Sequence, residues 1–194
     1  MLDNLKKYKI VLASNSPRRR ELLQGLGLEF EVRTLDGIEE SYPFSLKGEK
    51  IPMFIAGQKA LAYLPTMADD ELIITADTIV YCDGMVLGKP FDDADAARML
   101  RLLSGKAHQV ITGVSIITKQ THRIFSTTSI VEFDNLSDED INYYVSHFHP
   151  TDKAGAYGIQ EWIGYIGVVR LEGSFYNVMG LPVQRLYKEL ATIK

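Results

Sequence analysis

The chain has 194 residues, and its 21 basic and 25 acidic side chains give a net charge of −4 at neutral pH. This balance counts against a nucleic-acid binder, because such proteins neutralise many phosphates with an extended basic face. The single cysteine excludes an internal disulfide, and no apolar run is long enough to cross a membrane. We therefore expect one domain over residues 1–194, cytoplasmic and not bound to membranes.

The sequence predicts strands and helices that alternate irregularly along the chain. Short apolar or β-branched runs predict strands over 10–13, 72–81, 85–87, 110–118, 123–133, 164–171 and 175–179. Capping residues and apolar periodicity predict helices after Ser16, over 52–64, after Asp92 or Asp93, after Ser137 and from Pro182 onward. This order lacks the regular alternation of a doubly wound fold and favours an α/β protein with a mixed or largely antiparallel sheet.

The segment after the first strand is the first candidate site. Ser14 and Ser16 precede a helix that begins at Pro17, and three arginines follow at 18–20. Free amides at a helix N-terminus, together with arginines, can hold a phosphate group. The alternative is an ordinary capped helix with a solvated basic first turn.

A carboxylate inside the strand over 72–81 is the second candidate. Asp77 has apolar neighbours on both sides, and a buried carboxylate without a partner is costly. The alternative is an exposed strand position paired with a lysine. Asp83-Gly84 predicts a tight hairpin whose register places Thr78 opposite Lys89, so we expect Asp77 and Lys89 to be neighbours.

Three further features are weaker when taken alone. The glycine-rich segment 152–160 suits either a loop against a ligand or a plain connection. Glu39-Glu40 and Lys59 have residue types that usually face solvent. His147 and His149 lack a third metal ligand at convincing spacing.

Taken together, the ordered segments resemble the Maf family of nucleoside triphosphate pyrophosphatases. The segments that carry the resemblance are 12–19 (LASNSPRR), 37–40 (GIEE), 59–60 (KA), 76–80 (ADTIV), 88–90 (GKP), 103–105 (LSG), 152–160 (DKAGAYGIQ) and 180–182 (GLP). They cover nearly the whole chain, and their order is far more specific than any one of them.

The resemblance implies an inosine-triphosphatase-like fold: an elongated mixed sheet with flanking helices and two lobes around a cleft. It implies hydrolysis of a nucleoside triphosphate to the monophosphate and pyrophosphate, with a divalent cation, Mg²⁺ or Mn²⁺, and it suggests a homodimer. The family's proton acceptor falls on Asp77, and its other polar cleft positions fall on Ser14, Arg19, Glu40, Lys59 and Lys89. Glu40 and Asp77 are the expected metal-binding carboxylates, and sequence leaves open whether Asp77 acts as the base or as a ligand.

Within the family, the chain resembles the branch that acts on dTTP and UTP, with modified pyrimidine nucleotides as further substrates. The positions that define the branch fall on Arg18, Thr78 and Gln160, which we expect to contact the substrate. The chain departs from the common pattern at Glu161-Trp162 and at His149. The competing interpretation is a non-catalytic, nucleotide-binding regulator of cell division.

Overall fold

The computed structural model describes residues 2–194, in which seven strands form a mixed sheet flanked by helices. In chain order the strands are β1 (Lys9–Leu12), β2 (Glu31–Val32), β3 (Glu71–Cys82), β4 (Met85–Leu87), β5 (Ala107–Ile117), β6 (His122–Phe133) and β7 (Val168–Glu172). Their spatial order is β2-β1-β3-β5-β6-β7, and β4 pairs with β3 outside this path. Strand β1 is parallel to β2 and β3, whereas β4 is antiparallel to β3 and β7 is antiparallel to β6. The predicted mixed α/β fold is confirmed.

Local capping chemistry explains where several helices begin. The helices are α1 (Pro17–Gln24), α2 (Lys50–Leu61), α3 (Asp93–Leu103), α4 (Asp138–Phe148), α5 (Trp162–Gly167), α6 (Phe175–Val178) and α7 (Val183–Leu190). The Ser16 hydroxyl accepts a hydrogen bond from the Arg19 amide and caps α1. Ser137 and Asp140 form a reciprocal capping box at the start of α4, the helix predicted after Ser137.

The chain divides into two units, each with its own apolar core. Unit 1 consists of the residues up to Asp77, Thr112–Thr127 and Gly180–Lys194, and unit 2 consists of Thr78–Ile111 and Thr128–Met179. Residues from β1, α2, β3 and β5 build the core of unit 1: Val11, Ala60, Tyr63, Met67, Ile73 and Ile117. The core of unit 2 draws on β3, β4, β5, β6, α3, α4 and α5, and includes Val80, Leu100, Phe133, Tyr144 and Ile163.

Two predicted strands are wrong, in part or entirely. The segment 164–171 contains the end of α5 before β7 begins, and 175–179 forms α6. Their β-branched and aromatic composition favours strands, but tertiary packing decides. A Cβ at Gly164 would lie only 1.8 Å from the carbonyl oxygen of Ile159, so the absence of a side chain allows this tight turn into α5. In α6, the buried Asn177 side chain donates to the Val110 carbonyl, which fixes the helix.

The helix predicted over 52–64 is also shifted: α2 covers Lys50–Leu61, and a separate short turn follows at Leu64–Thr66. Within residues 2–194, no helix is both long and apolar enough to span a membrane.

Candidate active site

The centre of the candidate site in unit 1 is one ammonium group between two carboxylates. Lys59 Nζ lies 2.8 Å from Glu40 Oε1 and 3.0 Å from Asp77 Oδ1. The side chains of Lys59 and Asp77 are only 14% and 13% exposed, whereas that of Glu40 is 52% exposed. We name Glu40, Lys59 and Asp77 the carboxylate–lysine cluster. In this cluster Lys59 forms an ion pair with Asp77, which is the last residue of β3 that belongs to unit 1.

Close contacts between α2 and the sheet place Lys59 in this cluster. The Thr75 hydroxyl, two residues before Asp77, donates a 2.6 Å hydrogen bond to the Ala56 carbonyl of α2. A Cβ at Gly113 on β5 would lie 2.3 Å from the Pro52 carbonyl carbon, so only glycine permits this approach. The backbone of α2 is thus fixed against the sheet, and Lys59 faces Asp77 instead of solvent.

Arg19 joins three parts of unit 1 through its guanidinium group. Its Nε donates to the Gly180 carbonyl at 2.8 Å, and its Nη1 donates to the Ala76 carbonyl at 2.9 Å and to Ser14 Oγ at 3.5 Å. Burial lowers the pKa of Arg19, and the charge of Asp77 partly offsets this effect. The group stays protonated at neutral pH, so it adds a fixed positive charge and holds the peptide directly before Asp77.

Side-chain hydrogen bonds hold the loop over 14–16 in place. Ser14 Oγ accepts a hydrogen bond from the Ser16 amide at 3.2 Å, and Ser16 Oγ accepts one from the Arg19 amide at 3.4 Å. Arg18 is half-buried, and its charge contributes to the lowered pKa of Arg19. The structure therefore brings Ser14, Arg19, Glu40, Lys59 and Asp77 into one unit, and Arg18 adjoins them.

Three predicted site residues lie in unit 2. Thr78 follows Asp77 along β3 and is half-buried, and Lys89 is exposed. Gln160 is half-buried, and its Oε1 is a buried atom with no hydrogen-bond partner among residues 2–194. A buried acceptor left unpaired is costly, so this oxygen is suited to receive a donor from a ligand.

The hairpin register agrees with the prediction as far as the ladder extends. Val80 pairs with Leu87, Tyr81 with Val86 and Cys82 with Met85. The strand ends at Leu87, one residue before Gly88, whose carbonyl accepts a 3.0 Å hydrogen bond from the Gly155 amide. The predicted proximity of Asp77 and Lys89 remains a prediction.

A second lysine cluster in unit 2 was not predicted. Lys153 Nζ lies 2.7 Å from Asp152 Oδ1 and 3.1 Å from Glu161 Oε1, and the Lys153 side chain is only 8% exposed. The Tyr144 hydroxyl donates to Glu161 Oε2 and accepts from the Gly158 amide at 3.0 Å. Burial, and then the bond to Glu161, raise the pKa of Tyr144. We name Tyr144, Asp152, Lys153 and Glu161 the tyrosine–lysine network.

Two sequence signals fall on this network: Asp152 and Lys153 open the glycine-rich segment 152–160, and Glu161 lies where the chain departs from the family pattern. Tyr144 occupies a buried position of an amphipathic helix, so its hydroxyl has no signature in the sequence. Lys153 lies in the glycine-rich segment, where its burial depends on two carboxylates, one of them eight residues further along the chain.

The donor set of the carboxylate–lysine cluster fits a divalent cation of the Mg²⁺ type. Two carboxylates contact one nitrogen, and within residues 2–194 the other oxygen of Asp77 accepts no hydrogen bond. Mg²⁺ binds through one or two carboxylates, with phosphate oxygens and waters completing its shell. No group of three or more His, Cys, Asp or Glu side chains suited to a metal occurs in the described part of the chain. The carboxylates therefore fit an ion that is shared with a phosphate.

Comparison with known proteins assigns the chain to a family. A family model described as Maf-like protein matches residues 9–193. The chain belongs to the Maf family. A dTTP/UTP pyrophosphatase of Phocaeicola vulgatus is 64% identical to this Maf protein over 190 residues, which cover 98% of each chain. A protein of the same name from Parabacteroides distasonis is 63% identical over the same share of each chain. The resemblance inferred from the motifs is thus confirmed.

A solved structure supports the fold independently of close sequence similarity. A HAM1 protein from Coxiella burnetii matches this Maf protein with a TM-score of 0.51 at 15% identity, covering 96% of this chain and 100% of the other. At this identity the likeness concerns the fold alone.

Proposed function

We propose that this Maf protein hydrolyses dTTP and UTP to the monophosphate and pyrophosphate. The observation that carries the proposal is the carboxylate–lysine cluster, in which Lys59 Nζ holds both Glu40 and Asp77. Relatives at 63–64% identity that bear the name dTTP/UTP pyrophosphatase support it. The same cluster argues against a purely binding regulator, because carboxylates beside a bound triphosphate would repel it unless a cation intervened.

In the proposed reaction a water attacks the α-phosphorus. The bond from that phosphorus to the bridging oxygen breaks, and pyrophosphate leaves with the bonding electron pair. Asp77 orients the water and receives its proton, since a carboxylate at hydrogen-bond distance is a suitable base. Lys59, Arg19 and Lys89 supply positive charge to the phosphates, which become more negative at the leaving oxygen. Ser14 adds a polar contact beside Arg19.

We propose Mg²⁺ or Mn²⁺ as the cofactor, held by Glu40 and Asp77 together with phosphate oxygens. When bound, the ion would neutralise phosphate charge and make a bound water more acidic. Glu40 is the more exposed of the two carboxylates, so we expect it to contribute chiefly to affinity for the ion.

The base is selected by Arg18, Thr78 and Gln160 in this proposal. Gln160 Oε1 is a buried acceptor without a partner among the described residues. Uracil and thymine carry a donor at N3, whereas the N3 of cytosine is an acceptor. A site that needs a donor rejects the wrong base, because its own polar atom stays unpaired at a cost of about 1–3 kcal/mol. Modified pyrimidine nucleotides that keep the N3 donor would also be accepted.

We also propose that the protein acts in the cytoplasm on free nucleotides, with neither a nucleic acid nor a membrane as partner, and that it forms a homodimer. The net charge of −4 argues against binding to nucleic acid. Light scattering on the purified protein tests the dimer, and a monomeric mass would contradict it.

A pyrophosphate-release screen tests the proposal. We expect the largest kcat/KM for dTTP and UTP with Mg²⁺ or Mn²⁺, and no turnover after exhaustive treatment with EDTA. Equal turnover of all nucleoside triphosphates, or none, would contradict the proposed substrate range.

Glu40→Gln tests the proposed cation site. The substitution should raise the Mg²⁺ concentration needed for half the maximal rate, because a neutral amide binds the ion less well. An unchanged Mg²⁺ dependence would remove Glu40 from the cation site.

A further inference from the structure

We propose that Glu161 and Tyr144 are positioning residues for Gln160, and that the tyrosine–lysine network thereby contributes to the choice of base. This inference rests on the proposed function, since it deals with how the residue that accepts from the pyrimidine is held in place. The network lies entirely in unit 2 and contacts the turn that contains Gln160 on both sides of that residue.

Hydrogen bonds hold residues 158 and 161, which flank the turn that carries Gln160. The Gly158 amide donates to the Tyr144 hydroxyl at 3.0 Å, and that hydroxyl donates to the carboxylate of Glu161. The Glu161 amide in turn donates to the Gly158 carbonyl at 3.0 Å. One hydroxyl and one carboxylate therefore fix both ends of a turn that carries Gln160.

The Glu161 carboxylate packs closely against Gly158. A Cβ at Gly158 would lie 2.8 Å from Glu161 Cδ and 3.0 and 3.1 Å from its two oxygens. Gly158 does not have a positive φ, so alanine is permitted by the backbone there and is excluded only by the carboxylate. The glycine in this position thus serves to admit the Glu161 side chain.

The charge of Glu161 is paired with that of a buried lysine. Its other oxygen lies 3.1 Å from Lys153 Nζ, and the Lys153 side chain is 8% exposed. A buried ammonium needs its counter-ions, so Glu161 is held by an ion pair and by a hydrogen bond at once. The carboxylate has little freedom to move, and the turn over 158–161 has little freedom with it.

The consequence is pre-organisation of the amide of Gln160. Its Oε1 has no hydrogen-bond partner among residues 2–194, although Tyr144 and Glu161 hold the turn on both sides of it. A rigid turn would present this acceptor to the N3 donor of uracil or thymine without an ordering cost on binding. A loosened turn would let the amide rotate towards other partners, and the distinction between UTP and CTP would weaken.

The test is Tyr144→Phe, which removes one oxygen and retains the ring in the core. We expect kcat/KM for UTP to fall about tenfold, mostly through KM, while the value for CTP stays the same, so that the ratio of UTP to CTP falls about tenfold. Tyr165→Phe is the matched control, because Tyr165 is 80% exposed and lies outside the network. Gly158→Ala should give a similar loss of ratio, and combining it with Tyr144→Phe should add little, since both disturb the same carboxylate.

Trp162, the only tryptophan of the chain, follows Glu161 and gives a readout that does not need activity. Tyr144→Phe should increase quenching of its fluorescence by acrylamide, and Tyr165→Phe should not. A ratio of UTP to CTP that Tyr144→Phe leaves within twofold of wild type would overturn the inference, as would an equal loss of kcat for every nucleotide. A wild-type protein without any preference for UTP over CTP would instead refute the proposed base selection, and this inference with it.

Discussion

The two units contain the same electrostatic arrangement in different surroundings. In each, a lysine whose side chain is mostly buried lies within about 3 Å of two carboxylates, one of them more than half exposed: Lys59 with Glu40 and Asp77, and Lys153 with Asp152 and Glu161. In unit 2 the Tyr144 hydroxyl binds the second oxygen of Glu161. In unit 1 the corresponding oxygen of Asp77 has no such donor within residues 2–194.

This difference favours a catalytic role for the carboxylate–lysine cluster of unit 1 and a positioning role for the tyrosine–lysine network of unit 2. Each carboxylate oxygen has two lone pairs, so partners inside the protein reduce the number of sites that remain for a water or a cation without excluding such a ligand. Asp77 retains an oxygen for such a partner, and Arg19 adds a positive charge near it. A lysine between two carboxylates therefore does not by itself identify a catalytic site, and the catalytic role of Asp77 remains our proposal.

The largest effect should come from Asp77→Asn, which keeps the shape of the side chain and removes its charge. We expect kcat to fall by about 10²–10⁴-fold, because the amide neither accepts the proton of water nor binds a cation well. Pyrophosphate release measures the loss, and circular dichroism checks that the fold is intact.

The matched control is Asp70→Asn, in an exposed ion pair with Lys9 just before the start of the same strand. It should leave turnover unchanged. If a folded Asp77→Asn protein kept more than about a third of the wild-type rate, Asp77 would not have the proposed catalytic role.

The next effect concerns the stability of unit 2 in acid. His108 is buried, its Nε2 is 2.7 Å from the Tyr157 hydroxyl, and burial lowers its pKa from 6.5 to about 4. Between pH 6.5 and about 4, His108 is protonated in the unfolded chain but neutral in the folded chain. This histidine therefore lowers the free energy of unfolding as the pH falls through that range. Once the pH is below about 4, His108 lowers the free energy of unfolding by roughly 3 kcal/mol.

Urea unfolding at pH 7 and pH 4.5 measures this contribution. The decrease in stability between the two should be smaller in His108→Gln than in wild type, and unchanged in His147→Gln, whose ring lies on the exposed face of α4. An identical decrease in wild type and His108→Gln would show that other groups account for the acid sensitivity.

The smallest effect should come from Arg19→Lys, which keeps a positive charge but loses the planar fork. Lysine cannot donate to the Ala76 and Gly180 carbonyls with the same geometry, so the peptide before Asp77 becomes less constrained. We expect kcat to fall about tenfold. Arg98→Lys, on the exposed surface of α3, should have no effect on kcat, and equal rates for both variants would contradict a positioning role of Arg19.

Local chemistry in the sequence predicted much of the fold and part of the candidate site. Ser16, Ser137 and Asp83-Gly84 specify helix starts and a turn through contacts within a few residues, and those elements occur as predicted. Residues 164–167 and 175–179 were mispredicted because backbone packing on Ile159 and a buried hydrogen bond from Asn177 outweigh the intrinsic preference for strands.

The candidate site, like the fold, could be predicted only in part from local chemistry. A functional role for Asp77 was predicted from the cost of a carboxylate within an apolar strand, but the lysine expected beside it from the residues alone was Lys89. The position of Lys59 could not be derived from its own segment, since a helical lysine usually faces solvent. Tyr144 was missed because a tyrosine hydroxyl at a core position leaves no pattern, and its partner Glu161 is 17 residues further along the chain.

In the proposed reaction the cluster around Asp77 directs water to the α-phosphorus. Hydrolysis of dTTP in water enriched in ¹⁸O, followed by mass spectrometry of both products, tests it directly. We expect the label to enter the thymidine monophosphate and the pyrophosphate to contain none. Label in the pyrophosphate, or release of single phosphates, would place the attack on a different phosphorus and contradict the proposed reaction.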